Sequence, residues 1–250
     1  MQISDLQIHV EYYLYLLLRD IDFLKLQNAE KQMFASNLAK IFAGKIPTTM
    51  KQLMPQFMRD SSSNDGHAEP VMDYVISWCL RRADVICKDE KPILYSHCRF
   101  MLGKLLSIGN TDDVLFTDVK VWKQKQDIDL WVELTVACQG EMSKYALLIE
   151  NKYYTGLHDT NDIDGKRRNQ LEVYKKKFDA HYADKSNEDW KLHYALITCI
   201  EGDSGKFEQY SIAKDFGFNL FSFYELLEND TQTESDLFNE FWYRWGDARF

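Results

Sequence analysis

Asp129, Glu150 and Lys152 are the residues of this chain whose types and spacing could do chemistry. Glu150-Asn151-Lys152 ends the apolar run Tyr145-Ala146-Leu147-Leu148-Ile149, and upstream lies the acidic segment Asp127-Ile128-Asp129-Leu130-Trp131-Val132-Glu133-Leu134. The two segments read as one hairpin. With Gln139-Gly140 as its two-residue turn, Cys138 opposes Glu141, and the register that follows sets Asp129 opposite Glu150 on one face of the sheet. Cross-strand carboxylates have Cβ atoms roughly 4.5–5.5 Å apart and repel each other, which is costly unless a cation lies between them. A divalent metal suits that place, and the period of two puts Lys152 on the same face as Glu150. Two hard oxygen ligands beside an ammonium group are the parts for activating a metal-held water. Asp127 shares the strand face of Asp129 and competes for the same role.

On these residues the chain resembles the PD-(D/E)XK nuclease superfamily, in which an Asp precedes a Glu-x-Lys on the next antiparallel strand and a helix follows. The resemblance extends to Gln170-Leu171-Glu172-Val173-Tyr174, similar to the Gln-Leu-x-x-Tyr of many bacterial and phage families of that group, and covers roughly residues 114–200. The proline that names the motif is absent, Ile128 standing before Asp129. The resemblance implies an α/β, restriction-endonuclease-like mixed central sheet with an α-β-β-β-α-β core and an N-terminal helical layer. It also implies metal-dependent hydrolysis of phosphodiester bonds, with DNA the expected substrate. Asp129 and Glu150 would hold Mg2+ or Mn2+ with the Asn151 backbone carbonyl. Lys152 would orient or help deprotonate the attacking water, and Gln170 and Tyr174 would face the site. A further acid from a helix before the first strand is common in the superfamily, and Glu30, Glu69 and Glu90 are all open for it. The alternative is the same fold without turnover, serving as a nucleic-acid-binding or protein-interaction module.

The elements that must position these groups are legible as patterns. Tyr145 through Ile149 is apolar at every position, as in a strand covered on both faces, so charges at its end are not mere surface decoration. Residues 114–122 and 192–200 read as further strands, and 218–223 as a short one. Residues 164–182 read as a basic helix in which Leu171, Tyr174 and Phe178 form an inward stripe. That stripe leaves Tyr174 equally explained by packing alone. Upstream, Leu6, Val10, Tyr13, Leu14, Leu17, Ile21 and Leu24 mark one helix face, and Phe34, Leu38, Ile41 and Phe42 a second. Helices opening near Pro70 and Pro92 follow, and a C-terminal helix spans about residues 234–245. The polar stretch at residues 60–67 is the best boundary signal within a helical region 1–108, which is expected to pack on a nuclease-like core at 109–250.

At 250 residues, 45% hydrophobic and 14% aromatic, the chain can bury a full core. A net charge of -9 argues against a uniformly basic nucleic-acid surface, but residues 164–182 carry six basic residues against three acidic ones. Arg167, Arg168 and Lys175 are the phosphate-contact candidates there, against the plain reading of a solvated helix face. Five cysteines without Cys-x-x-Cys spacing support neither a disulfide framework nor a zinc site. Gly-rich phosphate loops, Gly-x-Ser-x-Gly elbows and zincin-like histidine spacings are absent from the sequence. With neither a signal-peptide pattern nor a long apolar segment, the expected location is cytoplasmic, away from membranes.

Overall fold

The structure is a computed structural model, and it describes residues 68–245 apart from 154, 163, 186, 187, 201, 203 and 230. The helix faces expected before residue 60, the polar stretch at 60–67 and Glu30 lie outside the described residues. The described chain opens with two helices, α1 (Ala68–Arg82) and α2 (Pro92–Leu105), and continues through three strands, β1 (Val114–Lys125), β2 (Ile128–Cys138) and β3 (Glu141–Lys152). A small hairpin, β4 (Asp159–Asn161) and β5 (Arg167–Asn169), leads into α3 (Gln170–Ala183). Then come β6 (Trp190–Thr198), a 3-10 segment (Phe207–Phe216), β7 (Asn219–Ser222) and a short helix α4 (Asp236–Asn239), which runs on into a π-helical turn (Glu240–Trp245).

The result is a mixed α/β fold around a five-stranded sheet of order β1-β2-β3-β6-β7. The first three strands are antiparallel meander neighbours, whereas β6 adds to β3, and β7 to β6, in parallel. A parallel neighbour needs a crossover connection, and α3 lies within the one between β3 and β6. Burial is continuous from Ala146 to Lys152, as expected of a strand covered on both faces. On one of those faces Trp131 packs against Phe178, Tyr182 and the ring edge of His181 from α3, with Trp131 Nε1 donating to Tyr182 Oη at 2.8 Å. Helices α1 and α2 pack against each other and against the sheet, α1 along β1 and α2 against β6. Pro92 stands in the first turn of α2, where its missing N–H costs nothing.

The β2–β3 register is the expected one: Cys138 pairs with Glu141 and the ladder runs to Leu130 opposite Ile149. Its cause is local, because Gln139 and Gly140 both take positive φ (50° and 87°), the twist-matched geometry of a two-residue hairpin. Gln126 and Asp127, at φ 57° and 71°, turn the chain from β1 to β2 in the same way. A bulge between Thr117 and Lys120 interrupts β1, with Asp118 at φ 54° and the Val119 N–H donating to Asp84 Oδ2. One expected element differs. The basic helix begins only at Gln170, and Arg167 and Arg168 lie on β5, because Gly165 at φ 76° turns a hairpin and Asn169 caps α3 by accepting from the Leu171 N–H.

Candidate active site

Strand β2 begins, and β3 ends, at the same edge of the sheet, which brings Asp129 and Glu150 together one step beyond the last paired residues. Asp129 Oδ2 accepts the Asn151 backbone N–H at 2.9 Å, so the carboxylate closes the ladder where strand pairing stops. Glu150 is 3% exposed; its Oε1 takes the Lys152 ammonium at 3.0 Å and a donated hydrogen bond from Gln170 Nε2. Gln170 is positioned by the start of α3: its Oε1 accepts from the His158 N–H, and its own N–H donates to the His158 carbonyl. Asp129, Glu150, Lys152 and Gln170 therefore converge. Tyr174, one turn further along α3, is a buried core residue near enough to Glu150 and Asp129 for their charge, after burial, to push its phenol well up. Asp127 turns outward instead, into an ion pair with Lys177 at 2.8 Å.

Helix α1 completes the group with two acids a turn apart. Glu69 Oε1 accepts from the Tyr153 N–H at 2.9 Å and from the Thr155 hydroxyl, which fastens the end of β3 to the helix. Asp73, 6% exposed, accepts from Asn151 Nδ2 at 2.7 Å through Oδ1 and from Gln124 Nε2 at 3.3 Å through Oδ2. Gln124 Nε2 also donates to Asp129 Oδ1 at 2.9 Å, so one amide bridges two carboxylates. Of the three glutamates open in the sequence, Glu69 reaches the site and Glu90 pairs with Arg82 elsewhere. Asp73 and Gln124 were not anticipated. An acid at i+4 from Glu69, flanked by the buried Met72 and Ile76 on an apolar helix, is the signal that could have singled Asp73 out.

The electrostatics follow from crowding acids in a dry place. Burial, then the charge of Asp129, pushes Asp73 up to about 7, against hydrogen bonds from Asn151 and Gln124 that pull it down. Burial raises Asp129 as well, and burial followed by Asp129 holds Glu150 far above the carboxylate range. Lys152 is pulled down by burial, but the Glu150 carboxylate beside it more than offsets that, so its net shift is upward and it stays an ammonium. Asp129 acts on both Glu150 and Asp73, yet among the described residues no three His, Cys, Asp or Glu side chains stand as a ready metal-ligand set. The donor set still fits a hard divalent cation. Glu150 Oε2 and Asn151 Oδ1 are buried without a hydrogen-bond partner, and Mg2+ is commonly held by one or two carboxylates with its remaining positions left to water.

Gln124 holds its place at φ 53°, a left-handed backbone unusual for a residue with a side chain, which ties its amide to the acids through the β1 turn. Replacing it with Ala should weaken Mn2+ binding roughly 10-fold or more, as loss of an outer partner of a metal ligand does. Calorimetric titration checks this, and unchanged affinity would reduce the bridge to a structural contact.

The phosphate-contact candidates are placed differently. Arg168 is drawn into Asp162 and Asp164, and Lys176 also reaches Asp162 at 2.8 Å. Lys175 pairs with Asp179 at 3.5 Å and lies over the Tyr194 ring, while Arg167 is exposed and reaches the Asp159 carbonyl at 3.5 Å. All five cysteines are free, and none of the described helices is long and apolar enough to cross a membrane. No family model matches this chain, and neither the curated proteins nor the solved structures contain a match to it.

Proposed function

We propose that this protein is a metal-dependent nuclease whose fold is of the restriction-endonuclease type and whose acids cut phosphodiester bonds in nucleic acid, DNA being the expected substrate. The observation that carries the reading is the convergence of Asp129, Glu150 and Lys152 at one sheet edge, with a buried Glu150 oxygen left unpartnered. The order helix, three antiparallel strands, helix, parallel strand supports it.

In this reading Asp129 and Glu150 hold Mg2+ or Mn2+, with Asn151 and Asp73 beside them as further oxygen donors. The ion, when bound, supplies a water of lowered pKa and a Lewis acid on the scissile phosphate. Lys152 keeps its positive charge next to Glu150 and stabilises the negative charge that builds on the phosphate oxygens. Gln170 orients Glu150 through its Nε2, and Gln124 keeps Asp73 and Asp129 from swinging apart. The dry packing around β3 strengthens each of these interactions.

End-labelled single-stranded DNA, duplex DNA and RNA incubated with Mg2+ or Mn2+, against EDTA, test the proposal. Cleavage with metal and none with EDTA is expected. A chain that binds these substrates and cuts none of them under either metal is the non-catalytic module instead.

A further inference from the structure

The cations of α3 and β5 are largely committed to internal acids, yet another group is not. Arg81, Lys120, Lys123 and Lys125 lie on α1 and on β1, which is an outer strand of the sheet, and among the described residues none of them makes an ion pair. Two of them rest on aromatic rings instead. Lys123 Nζ lies 2.8 Å from the Tyr74 ring centroid, and Lys125 Nζ lies between two rings, 4.5 Å from the centroid of Trp122 and 4.0 Å from that of the buried Trp131. Of these rings Tyr74 and Trp122 are out in solvent, at 63% and 37% exposed. Arg81 reaches the same strand at the Val121 carbonyl.

The group straddles the outer strand: Trp122 and Lys120 stand across from Trp131 and Glu133 on the face that α3 covers, whereas Lys123 meets Tyr74 on the side of α1. Tyr74 follows Asp73 on α1, and Lys123 precedes Gln124 on β1, so both are chain neighbours of residues that line the acid site. An exposed ring beside an unpaired ammonium has the two halves that a nucleotide needs, a face for the base and a charge for the phosphate. In a duplex the base faces are already stacked on each other, whereas a single strand offers them. A chain of net charge -9 cannot attract a polyanion as a whole, so contact falls to a local patch of free cations.

We propose that the outer side of β1 with the adjoining face of α1 is a seat for single-stranded nucleic acid, which it leads to the Asp129–Glu150 site. The resting cation–π pairs open on binding: a base takes the ring of Tyr74 or Trp122, and the displaced Lys123 or Lys125 moves to a phosphate. This inference rests on the nuclease reading for its direction toward the acids, but not for the binding itself.

The test separates the two. Anisotropy of labelled 20-mers, one of single-stranded DNA, one of RNA and one duplex, is measured with the full chain in EDTA, where no cleavage can occur. Binding of the single strands more than about tenfold tighter than the duplex is expected. Tyr74→Ala and Trp122→Ala should each weaken it roughly 5- to 100-fold, the range for loss of one base–aromatic stack. The double change Lys120→Gln with Lys123→Gln should lower the slope of log affinity against log salt by about 1.4, since each single-strand phosphate contact contributes about 0.7. All these side chains are partly or fully exposed, and a thermal melt confirms that the variants fold. Preference for duplex, absence of single-strand binding, or a loss seen only in Arg167→Gln with Lys175→Gln overturns the seat. Single-strand binding that meets these expectations, in a protein that never cuts with Mn2+, would leave the seat standing and remove the nuclease reading alone.

Discussion

Lys152→Ala is expected to bind Mn2+ with near wild-type affinity while losing roughly 100- to 10,000-fold of the single-turnover cleavage rate. The magnitude is that of a positioned group acting at the reacting centre. Lys152 is 5% exposed, 3.0 Å from Glu150 Oε1, and shifted upward, so in the proposed reaction its contribution is a fixed positive charge rather than a proton acceptor. Lys152→Arg should therefore keep more of the rate than Lys152→Ala, an ordering not expected if the lysine were the base. Removing the ammonium leaves Glu150 buried without its counterion, but a carboxyl already raised so far can take up a proton, which limits the damage to the fold. Glu150→Gln should behave otherwise, losing metal affinity and cleavage together. The two variants are to be measured separately, because residues that act as a unit do not show additive losses. Cleavage by Lys152→Ala at the wild-type rate would remove Lys152 from the chemistry.

The second large effect is on stability. Asp73, Asp129 and Glu150 all titrate higher in the folded chain than in the unfolded one, where they have ordinary carboxylate values, so over the intervening pH the folded state holds more protons. The stability these groups contribute is complete below about pH 4 and is lost as pH rises through their folded values, about 7 for Asp73. In EDTA the site should therefore destabilise the protein as pH rises from about 4 through 7. Each pKa unit is worth about 1.4 kcal/mol, so a few kcal/mol are at stake, or on the order of 5–10 °C in melting temperature. His97, His181 and His193 are lowered, chiefly by burial, and act oppositely, adding stability as pH rises toward 6.5. The informative quantity is thus the difference between wild type and Asp73→Asn, which share those histidines. Asp73→Asn should be the more stable of the two in EDTA at pH 8 and nearly equal to wild type at about pH 4. Mn2+ should raise the wild-type melting temperature more at pH 8 than at pH 6, because the ion takes ionised carboxylates. Parallel wild-type and variant curves across this range would mean that Asp73 is not crowded by its neighbours.

The sequence by itself determined the parts of this site that depend on neighbours in the chain. The β2–β3 register follows from the Gln139-Gly140 turn and an apolar run covered on both faces, and with those in place Asp129 can only meet Glu150. Gln170 was legible through the Gln-Leu-x-x-Tyr pattern, although the sequence reads its helix from residue 164 and the structure begins it at Gln170. Only the tertiary structure decided which distant groups join them. Asp73 meets Asn151 across 78 positions and Gln124 across 51, contacts set by how α1 rotates against β1 rather than by any local pattern. The pairing of the basic run was hidden for the same reason. Its charges were countable, but Asp162, Asp164 and Asp179 neutralise much of it through a hairpin turn and helix spacing that composition does not show. The cations outside these pairs lie on α1 and β1, where Lys120 stands across the ladder from Glu133 without an ion pair among the described residues. Local energetics write themselves into sequence as spacing and periodicity, whereas an encounter between remote segments depends on packing of the whole core, which no window of residues contains.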